Sequence, residues 1–149
     1  MSSESPATPA WRVIDQGSYG RAANAEPGTA TQSRIGLART EAEYRRLWSE
    51  IVSPESQPPS VDFSAEVVAI LTLGQKSTGG WGIEIAGAEV SGASAELRTR
   101  INRPAPGGIV TMAFTAPFAV VAITEPGVAE VVWLDESGAE VTRDPKDRS

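Results

Sequence analysis

Val67-Val-Ala-Ile-Leu-Thr-Leu73, Gly74-Gln-Lys-Ser-Thr-Gly-Gly-Trp81 and Trp81-Gly-Ile-Glu-Ile85 are consecutive, and together they decide the fold. The first is an unbroken apolar run rich in β-branched residues, and the last alternates apolar and polar positions at a period of two. The stretch between them is too short and too rich in glycine to hold a helix. A strand therefore leads into a strand. The connection carries Gly74, Gly79 and Gly80, two hydroxyls and one lysine. Because glycine tolerates positive φ, such a loop can bring its backbone close to a partner.

Towards the C-terminus the pattern is strand after strand. Ala88 to Val90 and Ala95 to Ile101 flank a turn at Gly92. Arg103-Pro-Ala-Pro-Gly-Gly108 interrupts, Ile109 to Phe114 resumes the strand pattern, and Ala119-Val-Val-Ala-Ile123 is a compact buried one. Glu130 to Leu134 and Ala139 to Val141 enclose Asp135-Glu-Ser-Gly138, a hairpin loop. Towards the N-terminus, Gln57-Pro-Pro-Ser60 is an extended linker behind the one strong helix. Thr40-Glu41-Ala42-Glu43 is a capping box. Tyr44, Leu47, Trp48 and Ile51 then form one apolar stripe at helical spacing, and Pro54 ends it. Arg34 to Ala38 is a short strand, Gly20 to Gln32 a long polar loop, and Trp11 to Asp15 the first strand.

Strands without intervening helices pair antiparallel. The expected fold is mainly β (α+β): an antiparallel sandwich or partly closed barrel with one amphipathic helix packed against it. A chain of 149 residues makes one domain, expected over residues 11–142. Residues 1–10, rich in Ser, Pro and Ala, are expected as a disordered tail, and 143–149 as a frayed charged one.

Composition excludes several functions. The formal charge is −6, against the clustered Lys and Arg that nucleic acid requires. Arg98 and Arg100 share one strand face and read as a solvated surface. There is no histidine and no cysteine. That removes Ser-His-Asp and Cys-His catalysis, disulfides, and zinc sites built on imidazole or thiolate. The first ten residues have no basic or apolar signal region, and no run reaches membrane-span length.

The central loop fails as a catalytic or phosphate site. Gly74 and Gly79 have phosphate-loop separation, but Gly80-Trp81 stands where Lys-Ser/Thr is needed, and a strand follows instead of a helix. Lys76 and Ser77, adjacent in extended backbone, point to opposite faces and make no dyad. Glu84 alternates with Ile83 and Ile85 and so faces solvent. Asp62 caps a turn before Phe63. No paired carboxylates and no calcium-loop spacing stand out, so no cofactor or metal and no catalytic residue is expected. A contact surface remains: Lys76, Ser77, Thr78, Gly79, Gly80 and Trp81 on one loop, with Pro104, Pro106, Gly107 and Gly108 on the next. Trp81 reads equally as an interface anchor or as a lid on the core.

These segments, in this order, resemble the PrcB C-terminal family, accessory subunits of a bacterial surface protease complex. Pro58-Pro59, Val61-Asp62-Phe63, Val67 to Leu73, Thr78-Gly79-Gly80-Trp81, Pro104-Ala105-Pro106-Gly107 and Thr115-Ala116-Pro117-Phe118 carry the resemblance, which is best over residues 60–123. Relatives often have tyrosine at Trp81 and a Tyr-His pair at Phe118-Ala119, so any hydroxyl or imidazole role is absent here. Many are exported or lipid-anchored, whereas this sequence shows no signal segment or lipobox cysteine.

The resemblance implies a non-catalytic binding module with a protein partner, a protease among the candidates. The alternative is a loop-wedge inhibitor, since Thr78 to Trp81 is similar to the T-T-G-Y loop of chagasin-type inhibitors. That alternative requires both Gly-rich loops at one end of the fold. The terminal hairpin offers a further edge for self-association.

Overall fold

The computed structural model describes residues 10–145. The expected N-terminal tail, apart from Ala10, and residues 146–149 lie outside the described residues. Eight strands, β1 Trp11–Gly17, β2 Arg34–Ala38, β3 Val67–Thr72, β4 Gly82–Ser91, β5 Ser94–Asn102, β6 Phe118–Ile123, β7 Glu130–Leu134 and β8 Glu140–Asp144, form two four-stranded sheets. The first has the order β1-β6-β3-β2 and the second β4-β5-β7-β8. The sheets make a sandwich and not a closed barrel. The helix, α1 Glu41–Leu47 with a π turn at Trp48–Val52, covers the outer face of the first sheet.

β3 and β6 explain their own apolar runs. Every residue in both is buried, because each strand lies between two cores. Val67, Ala69, Leu71, Ala119, Val121 and Ile123 face the second sheet. Val68, Ile70, Phe118 and Val120 face Tyr44, Leu47, Trp48 and Ile51 of the helix. In β5 only one face is dry: Ala95, Leu97, Thr99 and Ile101 are buried, and Glu96, Arg98 and Arg100 are exposed. Trp133 fills the centre, and its indole N–H donates to Thr99 Oγ1 at 2.9 Å, so its one polar atom is satisfied.

The helix begins with half of its expected capping box, the return bond falling one residue before the cap. Thr40 Oγ1 accepts from the Glu43 amide at 3.2 Å, and Glu43 reaches back to the Arg39 amide at 2.8 Å. Gly36 in β2 leaves room for Leu47: a Cβ there would stand 2.6 Å from Leu47 Cδ2. Among the described residues no helix is long and apolar enough to cross a membrane.

Four details differ from the sequence reading. β5 and β7 run parallel, because the chain between them crosses into the first sheet as β6 and returns. Gly82–Ile85 and Ala88–Val90 belong to a single strand, β4, with an irregularity between Ile85 and Gly87, and Trp81 stands just before it. β8 extends to Asp144, beyond the expected domain end, and the Leu37 amide of β2 donates to Asp144 Oδ2 at 2.7 Å. Ile109–Phe114 is no strand. Its Pro/Gly-rich approach and Pro117 bracket an irregular segment that leaves Ile109 and Met112 fully or largely exposed.

Candidate functional site

β3 ends by turning its chain inward. Thr72 Oγ1 and the Leu73 amide both donate to the Pro117 carbonyl, at 2.8 and 3.0 Å. Gly74 follows at φ +80°, pressed so closely on the 31–32 backbone that a Cβ would lie 2.6 Å from the Gln32 carbonyl oxygen. Only glycine fits there.

Gln75 is buried and fully bonded. Its Oε1 accepts from the Gly28 amide at 3.0 Å, and its Nε2 donates to the Ala22 and Ala25 carbonyls at 3.1 and 2.9 Å. This one side chain pins the 20–32 segment, which includes a 3-10 turn at Arg21–Asn24. A cleft of about 440 Å³ opens between that segment and the helix end, lined by Ala30, Gln32, Glu50 and Ile51 among others.

Lys76 and Thr115 exchange both backbone hydrogen bonds, at 2.8 and 2.9 Å. Thr115 Oγ1 donates to the Thr78 carbonyl at 2.8 Å, and the Gly79 amide to the Thr111 carbonyl at 2.8 Å. Gly80, at φ +90°, lies against the Pro104 ring, which a Cβ would approach to 3.1 Å. The β3–β4 and β5–β6 connections thus run side by side at one end of the sandwich. Ser77 is exposed between them. Pro106, Gly107 and Gly108 form an exposed turn, closed by the Gly108 amide on the Ala105 carbonyl at 2.9 Å.

Trp81 is half-buried and packs on the inter-sheet core, with Lys76 Nζ 4.6 Å from its ring centroid. The indole thus covers part of the core, and Lys76 of the same chain lies over its ring. Burial, and then the nearby Arg103 guanidinium, hold the Lys76 ammonium below its ordinary pKa. Arg103 itself pairs with Glu136 at 3.0 Å. The Ile101 amide, and Arg103 with it, keep the Glu136 carboxyl below the usual range.

Two features have no counterpart in the sequence reading. Gln75 gave no signal, since a polar residue in a glycine loop is ordinary. The exposed apolar side chains Ile109, Met112 and Phe114, with Tyr19 bridged to Ala116, flank the same loops. Pro and Gly on either side of 109–114 were the available signal for an open segment. Among the described residues no three of His, Cys, Asp and Glu come together as a metal site.

Residues 67–124 match the family model described as PrcB C-terminal. That segment is similar to the PrcB C-terminal domain. No curated protein and no solved structure matches the chain significantly. The PrcB segment begins at the first residue of β3 and ends one residue after β6, so it encloses both loops and all ten residues of the expected contact surface. It supplies β3 and β6 to one sheet and β4 and β5 to the other.

Proposed function

We propose that this protein is a non-catalytic binding module whose β3–β4 and β5–β6 connections dock a protein partner, as an accessory or regulatory subunit of a larger complex such as a protease. One observation carries the reading. Of the large apolar side chains exposed among the described residues, Tyr19, Ile109, Met112 and Phe114 gather at this end and only Val13 lies elsewhere. Leaving an Ile, Met or Phe in water forgoes about 1.5–3 kcal/mol each, which a partner would recover by covering it. The backbone bonds from Lys76, Thr78 and Gly79 to the 111–115 segment hold the surface in place before binding. Little ordering cost then remains.

The test is capture from source-cell lysate with three baits: wild type, Trp81→Ala, and Met112→Ser with Phe114→Ser. A defined complex retained by wild type and lost by the double variant, whose melting temperature should stay near wild type, is the expected result. Equal capture by wild type and the double variant would remove this surface as the site. Trp81→Ala loses both the cation contact and part of the core cover, and is read alongside its own melting temperature.

A second reading, a loop-wedge inhibitor, draws support from Gly80 lying on Pro104, which puts both Gly-rich loops at one end. It predicts stoichiometric inhibition of a papain-like protease, abolished by Trp81→Ala. An accessory subunit would leave that activity unchanged or raise it.

A further inference from the structure

Lys76 is one of only two lysines in the chain, and its charge is unanswered. Its ammonium takes part in no ion pair and no side-chain hydrogen bond among the described residues, whereas Arg12, Arg34, Arg98, Arg103 and Arg143 are each paired with a glutamate. It is half-buried, it lies over the Trp81 ring at 4.6 Å, and the neighbouring guanidinium of Arg103 repels it. A partly desolvated cation without a counter-charge stores an interaction that an incoming anion can complete.

We infer that the partner places a carboxylate on Lys76 while adjoining apolar side chains cover Ile109, Met112 and Phe114. This inference rests on the binding-surface reading and names the chemistry recognised there. A carboxylate fits better than a phosphate, since the only neighbouring guanidinium is committed to Glu136 at 3.0 Å and a single ammonium remains free. The recognised element is an Asp or Glu side chain set among Leu-, Phe- or Val-type side chains. In a protein with formal charge −6, this cationic spot also gives an acidic partner its orientation on approach.

The experiment titrates the full 15N-labelled chain with three matched sets of acetylated octapeptides rich in Leu, Phe and Val. One set carries a central Asp and an amidated C-terminus, the second has Asn in its place, and the third has Asn with a free C-terminus. The amides of Thr78, Met112 and Phe114 report binding. The expected result is about tenfold tighter binding of the Asp set than of the amidated Asn set, as for a charge-assisted bond in a partly dry site. Lys76→Gln should abolish that preference, while Lys76→Arg should restore it. Tighter binding of the free-C-terminus set than of the Asp set overturns the side-chain carboxylate as the recognised group. Equal binding of all sets, or a preference that survives Lys76→Gln, overturns carboxylate recognition and leaves the binding-surface reading standing. No perturbation by any set at millimolar peptide overturns both.

Discussion

Gln75→Leu separates the loop end from the rest of the sandwich. The substitution keeps side-chain volume and leaves the Gly28 amide and the Ala22 and Ala25 carbonyls without their partner. Each such bond is worth about 0.5–1.5 kcal/mol net, so three set an upper bound near 4 kcal/mol. The segment they hold is largely exposed, and once it detaches its polar groups rehydrate. The cost is therefore limited to local opening, about 2–3 kcal/mol. At about 1.4 kcal/mol per decade, amide exchange at Gly28 should accelerate about 30- to 140-fold.

Hydrogen exchange read by NMR is the assay, because the Gly28 amide is bonded to the Gln75 side chain itself. The amides of Val120 and Val121, in the central strand of the first sheet, serve as internal reference and should keep their protection. Unchanged exchange at Gly28 would refute Gln75 as the pin. Parallel loss at Gly28, Val120 and Val121 would refute the independence of the segment.

Two further predictions concern the helix side. Gly36→Ala drives a Cβ to 2.6 Å from Leu47 Cδ2 in a buried contact. Overpacking of about 1–3 kcal/mol, offset by about 0.4–1 kcal/mol of lost unfolded-state entropy, should give a net loss of about 1–2 kcal/mol in urea unfolding. An unchanged or raised urea midpoint would show that Leu47 yields freely. The second concerns Tyr44, whose hydroxyl donates to the Pro59 carbonyl at 2.8 Å and whose pKa is pushed up to about 12, first by burial and then by the charge of Glu41. The fold favours the neutral phenol, which ionises near 10 in the unfolded chain, so its contribution is complete below about pH 10 and is lost as pH rises towards about 12. Urea midpoints from pH 9 to 11.5 should fall more steeply for wild type than for Tyr44→Phe, and equal slopes would contradict that assignment.

The sandwich was legible because both of its periods were in plain view. β3 and β6 are continuous apolar runs, β5 alternates, and Thr40 with Glu43 marks the helix start. Local patterns do not record strand direction, so the parallel β5–β7 pair was hidden: it depends on where the chain goes between residues 103 and 129. Ile109 to Phe114 misled for a related reason. Its apolar, β-branched start suits a strand, but no neighbouring strand offers it a ladder, and only the Thr111 and Thr115 positions find backbone partners in the β3–β4 loop. The residues proposed for contact were visible as glycines, prolines and a tryptophan. What makes them a surface, namely the bonds across Lys76, Thr78 and Gly79 and the exposed Met112 and Phe114, depends on pairing between segments some 35 residues apart.

The matched segment is not, by itself, the whole architecture. It holds the two central strands of the first sheet, yet Val68, Ile70, Phe118 and Val120 on their outer face are covered by the helix, which precedes the match. On the inner face, Leu97 and Ile101 pack in the same cluster as Trp133 and Val131 of β7, which follow it. Burial of each of those large side chains is worth about 1.5–3 kcal/mol, comparable with the net stability of a domain when only a few are uncovered. The helix and the terminal hairpin are thus what keep strands of both sheets in register. The two loops project from that register, so the flanking elements outside the match decide how Lys76, Trp81 and the 109–114 segment are presented together.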